Sequence, residues 1–133
     1  IVTKVDTMPS AVYFTRANKL EFSFILVGWG SDTAEASSPL KALLATFNNE
    51  KGMGQANRGR YSNPKVDAML NQALATVDDA KREKLLQQAT EIAMGDAGII
   101  PIYHQENLWA TRKGIAYTPR ADERTFAHEF RPQ

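Results

Sequence analysis

The residues best suited to chemistry follow directly after an apolar run at residues 22–27. Trp29 offers a flat apolar face, and Asp32 offers a fixed negative charge. Gly28 and Gly30 allow the backbone to approach a ligand closely. An indole beside a carboxylate suits a ligand that carries an ammonium group. A structural interpretation also fits, in which Trp29 anchors a core and Asp32 caps a turn.

Motifs for catalysis, metals and nucleotides are incomplete. Ser31 lacks the flanking glycines of a nucleophile elbow, and His104 and His128 are too far apart in sequence for a paired metal motif. The glycines of residues 52–54 lack the third glycine of a dinucleotide-binding loop. We therefore expect no enzyme, no cofactor and no metal. A hydrolase that uses Ser31, Asp32 and His104 remains an alternative.

The N-terminal third is predicted to place this cluster at the end of a strand. Residues 1–6 alternate like a short strand, residues 11–20 have helical spacing, and residues 22–27 resemble a strand buried on both faces. This order predicts a right-handed βαβ crossover. Ligands bind outside the carboxyl ends of such parallel strands, which is where the Trp29 cluster lies.

The middle of the chain is predicted to be helical. A helix over residues 39–47 would have Ser38 as its N-cap, followed by a mobile surface loop over residues 48–60. Asn63 and Asp78 would cap two further helices that form a hairpin.

Shorter features complete the sequence. Residues 99–103 are predicted to form a short strand, and turn signals interrupt the tail. Tyr61 is interpreted, together with Asn63, as fixing the entry of a helix. Arg58 and Arg60 are interpreted as a solvated face.

Composition excludes several classes of protein. The 133 residues are 43% hydrophobic, carry a net charge of +1 and include no cysteine, so disordered and disulfide-stapled classes do not fit. The charges of both signs are interspersed, which argues against a nucleic acid partner. The longest apolar run is far short of the roughly 20 residues that span a bilayer. A signal sequence is expected to be absent from this segment, which opens at Ile1.

Three groups of residues, taken in order, resemble a known family. They are Gly28-Trp29-Gly30-Ser31-Asp32, then Tyr61-Ser62-Asn63-Pro64-Lys65-Val66-Asp67, and finally Ile100-Pro101-Ile102-Tyr103-His104 with Lys113-Gly114 and Tyr117. The chain resembles the C-terminal part of the extracellular solute-binding proteins of the peptide/dipeptide class (family 5), the receptors of bacterial ABC importers. The second group is the most specific of the three.

The resemblance implies an α/β fold that is a partial lobe of a two-lobed, periplasmic-binding-protein-like (type II) structure. That lobe would have a short sheet with flanking helices and a helical hairpin. Residues 1–133 would be a single domain in the second lobe, with the tail returning toward the first. The expected location is the periplasm, or the cell exterior with a lipid anchor.

The resemblance also implies a function. The protein would capture a peptide or a related amine-bearing solute and deliver it to a membrane permease, with Asp32 pairing with the ammonium group and Trp29, Gly30 and Ser31 lining the same pocket. Residues 33–38 depart from the dipeptide-receptor pattern, which leaves the solute open. The isolated segment is expected to self-associate or to swap elements. A protein-interaction module built on the helical hairpin is a second alternative.

Overall fold

A computed structural model describes residues 2–31 and 33–133, and it combines helices with one small sheet. The helices are α1 (Ser10–Asn18), α2 (Ser37–Pro39, continued by a π-helical segment Leu40–Leu44), α3 (Pro64–Leu74), α4 (Asp79–Gly95) and a 3-10 turn (Ala127–Glu129). The strands β1 (Ile115–Tyr117) and β2 (Phe130–Pro132) pair antiparallel. In the part of the chain that the structure describes, no helix is both long and apolar enough to cross a bilayer.

The predicted helical hairpin is confirmed. α3 and α4 pack through six side chains at helical spacing, each at most 4% exposed: Val66, Leu70, Ala73, Leu86, Ala89 and Ala93. The three alanines allow the helix backbones to approach closely. Both predicted caps are present, because the Asn63 side chain accepts a hydrogen bond from the Lys65 amide (2.9 Å) and that of Asp78 from the Lys81 amide (2.7 Å).

The helix predicted over residues 39–47 is present with different bounds. It begins at Ser37 and ends at Leu44, and Ala36 occupies the N-cap position without a side-chain bond, so the predicted Ser38 cap is wrong. Ala45 is extended and the following Thr46 amide donates to Asp67 Oδ1 (2.9 Å). The Asp67 carboxylate on α3 thus supplies a hydrogen-bond partner outside the helix for the Thr46 amide, and the helix ends at Leu44 rather than at residue 47.

The loop over residues 48–60 lies largely at the surface, as predicted, but it is anchored to the core by a few buried residues, which argues against the predicted mobility. Met53 and Asn57 are buried, and Asn57 Nδ2 donates to the carbonyls of Ala45 (2.9 Å) and Tyr61 (2.7 Å). Gly54 has φ +62°, and a Cβ there would collide with the Ala45 carbonyl oxygen. In the sequence these polar and glycine residues indicate a solvent-exposed loop. In the structure some of them form hydrogen bonds with buried backbone groups.

Three predicted strands are absent from the described residues, and the βαβ crossover is wrong with them. Residues 2–6, 22–27 and 99–103 lack strand structure, although the helix between the first two is present as α1. Phe24 is 74% exposed and Ile102 is 70% exposed. A strand forms only where a neighbour supplies hydrogen bonds, and no described segment lies alongside these three as a partner strand.

The sheet forms instead in the tail, where the sequence indicates only turns. Tyr117 lies opposite Phe130 in the β1–β2 register, and their rings stack 4.7 Å apart. Arg120 bonds to Asp122 and Glu129 across the intervening turn.

The accessible surface is large for the chain's mass. It measures 10,358 Å², whereas a compact monomer of 14.8 kDa exposes about 7,000 Å². The extended apolar segments at residues 22–27 and 99–103 contribute to this excess, because Phe24, Leu26, Ile100 and Ile102 are each at least 65% exposed. The hairpin is therefore folded and covered, while these segments lack a covering layer.

Candidate functional site

The candidate ligand loop, defined here as residues 28–31, lies at the surface. The side chain of Trp29 is 45% exposed, so it does not anchor the core. Apart from Gly30 and its two chain neighbours, no described residue has an atom within 4 Å of the position that a Cβ would take on Gly30. Ser31 Oγ donates to the Glu35 carbonyl (3.1 Å). The fourth predicted site residue, Asp32, lies outside the described residues.

Glu35 connects this region to α4. Arg82 on α4 lies against both carboxylate oxygens: Nη2 donates a hydrogen bond to Oε2 (2.7 Å), and Nε lies 2.5 Å from Oε1 as a charge contact without a hydrogen bond. Ser37 Oγ also donates to Oε2 (2.7 Å). The Ser37 hydrogen bond, followed by that of Arg82, holds the pKa of Glu35 below its ordinary value. Sequence analysis missed this pair, because nothing local connects residues so far apart in the chain.

An open groove runs along α4 beside the same connection. Its volume is about 670 Å³, and the segment 34–36 forms one wall. The α4 wall carries Arg82 and the acidic residues Asp79, Glu83 and Glu91. Trp29 and Ser31 do not line it. The structure therefore does not bring Trp29, Gly30 or Ser31, the described members of the predicted ligand set, into this groove.

Residues 61–67, the most specific feature of the sequence, connect elements of the fold. The contacts of Tyr61 and Asn63 with Asp96 are called the clasp below. Tyr61 Oη and Asn63 Nδ2 both donate to Asp96 Oδ2, at 2.6 and 2.7 Å, which ties the start of α3 to the end of α4. Asp67 accepts from the amide (2.9 Å) and hydroxyl (2.5 Å) of Thr46. The prediction that Tyr61 and Asn63 fix a helix entry is confirmed.

The clasp alters the pKa of two groups. Burial, followed by the hydrogen bond to Asp96, raises the pKa of Tyr61 to about 12. The hydrogen bonds from Tyr61 and Asn63 lower the pKa of Asp96 below its ordinary value. Around neutral pH the clasp therefore holds a neutral phenol and an ionised carboxylate.

The remaining singled-out residues have structural contacts or lie in solvent. Arg60 is exposed and Arg58 partly exposed, as interpreted, although Arg58 Nε also donates to Asn18 Oδ1 (3.0 Å) and the Arg60 guanidinium lies 4.0 Å over the Phe47 ring. His104 is exposed, and the Ser31 hydroxyl contacts Thr33 and Glu35. The described part of a Ser31, Asp32 and His104 triad is thus not assembled.

The chain is similar in sequence to several bacterial binding proteins. It is 27% identical over 92% of its length to a probable D,D-dipeptide-binding periplasmic protein of Escherichia coli. It is 32% identical over 78% of its length to heme-binding protein A of Haemophilus influenzae. It is 34% identical over 74% of its length to a probable deoxycholate-binding periplasmic protein of Escherichia coli. No family model matches the chain, and no solved structure matches it.

These relatives are much longer than the chain. The aligned part covers 24%, 18% and 17% of the three, respectively. All three are named for binding, which agrees with the expectation of a binding role without catalysis. The resemblance to periplasmic solute-binding proteins that was inferred from the sequence is confirmed.

The contacts of the clasp predict that the Tyr61 phenol titrates at a higher pH than an ordinary tyrosine. Subtracting the ultraviolet absorbance titration of Tyr61→Phe from that of the native chain should isolate one phenol that ionises near pH 12. In the Asp96→Asn background the same step should move toward the ordinary value of 10, because the neighbouring negative charge is gone.

The clasp also predicts how stability varies with pH. Because the pKa of Asp96 is lowered on folding, its contribution is complete above the ordinary value of 3.8 and is lost as pH falls through the folded value. The difference in urea midpoint between the native chain and Asp96→Asn should therefore be larger at pH 7 than at pH 2. A Tyr61 step near pH 10 in the native chain, or equal differences at both pH values, would contradict the clasp.

Proposed function

We propose that this chain, which is similar over most of its length to solute-binding proteins of the peptide/dipeptide class, is part of the substrate-binding component of a bacterial ABC importer. In this role the protein captures a solute in the periplasm and delivers it to a membrane permease. The observation that carries the proposal is the alignment of 92%, 78% and 74% of the chain with proteins named for binding.

The proposed solute is a peptide or a related amine-bearing small molecule. The relatives are named for chemically different ligands, a D,D-dipeptide, heme, deoxycholate and glutathione, so similarity alone supports a binding role rather than one solute. The amine is inferred from the sequence of the loop, in which a carboxylate follows an indole by three residues.

The proposed ligand residues are Trp29, Gly30, Ser31 and Asp32. The exposed indole and the open space beside Gly30 support this role, because a ligand could reach both. Asp32 would pair with the ammonium group, and the other three would line the same pocket. No cofactor takes part in the proposed mechanism, since capture requires only that two lobes close on the solute.

The proposal places residues 1–133 in the second lobe of a two-lobed protein, with the tail returning toward the first. The large accessible surface supports this arrangement, because residues 22–27 and 99–103 expose apolar side chains that a further layer would cover. The chain also spans at most 24% of the relatives reported above. The opposite wall of the binding cleft would come from the remainder of such a protein.

The interaction-module alternative has less support. The hairpin directs its apolar residues into its own core, where Val66 and Leu70 are fully buried. A module that docks a partner through the hairpin would need such a face exposed.

The first test is calorimetry on the complete receptor that the proposal implies. Asp32→Asn should weaken binding of a dipeptide by about 2–5 kcal/mol, because an ammonium group would be left buried without its partner. The surface variant Asp6→Asn serves as the control and should bind like the native protein. An N-acetylated dipeptide, which lacks the ammonium group, should bind weakly to the native receptor and no more weakly to Asp32→Asn. An unchanged affinity in Asp32→Asn would reject the role.

The second test concerns the isolated 133-residue chain. Uncovered apolar segments should drive self-association, so light scattering should give a mass above the 14.8 kDa monomer. The double variant Leu26→Ser and Ile102→Ser should shift the population toward monomer, whereas Val77→Ser, on an exposed hairpin connection, should not. A native chain that is a clean monomer and melts cooperatively would contradict the proposal.

A further inference from the structure

The turn that follows the candidate ligand loop is strained. The Ala34 amide donates to the Ser31 carbonyl (3.1 Å), which closes a turn at the end of the candidate ligand loop. Ala34 has φ +55°, in the left-handed region that non-glycine residues rarely occupy. Such a conformation persists only where the surroundings hold it in place.

Glu35 is the residue that holds this turn. Its carbonyl accepts from Ser31 Oγ (3.1 Å), and its amide donates to Thr33 Oγ1 (3.4 Å). Its carboxylate accepts from Ser37 Oγ (2.7 Å). The backbone of Glu35 thus bonds to two side chains of the turn, while its carboxylate bonds to Ser37 beyond the turn.

Arg82 links Glu35 to the rigid part of the molecule. It lies in the first turns of α4, and Leu86 one turn further on is buried in the hairpin core. One hydrogen bond, from Nη2 to Oε2, and the close charge contact between Nε and Oε1 together hold the carboxylate beside Arg82. Arginine and glutamate are each about one-third exposed, with side-chain exposures of 32%.

We propose that Glu35 and Arg82 form a positioning pair that sets the candidate ligand loop at a fixed place relative to the helical hairpin. The pair touches no ligand in this role. It holds the strained turn at Ala34, and through Ser31 it limits the motion of Trp29. The effect on ligand affinity rests on the proposed function, since a loop that is already ordered loses less conformational entropy when a solute binds.

The test follows Trp29 itself. The chain has two tryptophans, so Trp109→Phe leaves Trp29 as the single reporter. Arg82→Gln and Glu35→Gln should each raise the fraction of time-resolved anisotropy lost to local motion by about twofold, because loop motions fall in the nanosecond range. Lys81→Gln, the adjacent cation on α4, should leave that fraction unchanged.

Charge exchange separates positioning from simple loss of stability. The double variant Glu35→Arg with Arg82→Glu should restore most of the anisotropy that each single exchange removes, while thermal melting by circular dichroism follows the hairpin. If Arg82→Gln fails to fold, Glu35→Gln decides the result. Anisotropy in these variants equal to that of Lys81→Gln, or no recovery in the exchanged double variant, would overturn the pair.

The ligand arm distinguishes the two proposals. In the complete receptor, Arg82→Gln should lower dipeptide affinity several-fold by calorimetry. If Trp29 loosens in the variants but the native receptor binds no dipeptide, the solute assignment fails while the positioning pair stands. If dipeptide binds and Arg82→Gln changes neither affinity nor anisotropy, the positioning pair fails while the solute assignment stands.

Discussion

The packing of α3 against α4 is the constraint on which the rest of the described structure depends. Its six core side chains are almost completely removed from water, and they also support Leu40, Leu44 and Met53 from the preceding segment. Polar contacts add to this packing at three places. Asp96 accepts a hydrogen bond from Tyr61, just before α3, and Asp67 accepts one from the Thr46 amide, just after the π-helical segment. Arg82 donates to Glu35, beside the candidate ligand loop.

This arrangement separates support from recognition. The group 61–67 carries the strongest family signal in the sequence, yet its contacts connect elements of the scaffold. Trp29 and Gly30, two of the residues proposed to bind a solute, are instead exposed. Binding loops held by a rigid body can vary without cost to the fold. Relatives named for a dipeptide, heme and deoxycholate are consistent with such a division.

The sequence could predict those features that are determined by residues close together in the chain. The α3 and α4 helices and their caps at Asn63 and Asp78 were predicted because spacing and cap lie within a few residues. The prediction of a strand over residues 22–27 was wrong. An apolar run favours a buried strand, but a strand also needs a neighbouring strand to pair with, and the run itself does not supply one. The Glu35–Arg82 contact was missed because it joins residues 47 positions apart. Asn57 was placed in a mobile loop, since its polarity gives no sign of the two carbonyls it satisfies.

Amide hydrogen exchange, measured by mass spectrometry at a concentration where the chain is monomeric, tests most directly the claim that one helical body carries uncovered extended segments. The strongest protection should lie in α3 and α4, followed by residues 40–57, because these backbone groups bond within the packed core. Residues 22–27 and 99–103 should exchange close to the rate of an unfolded peptide. Protection of residues 22–27 equal to that of α3 would mean that they form a paired strand, and it would contradict this account.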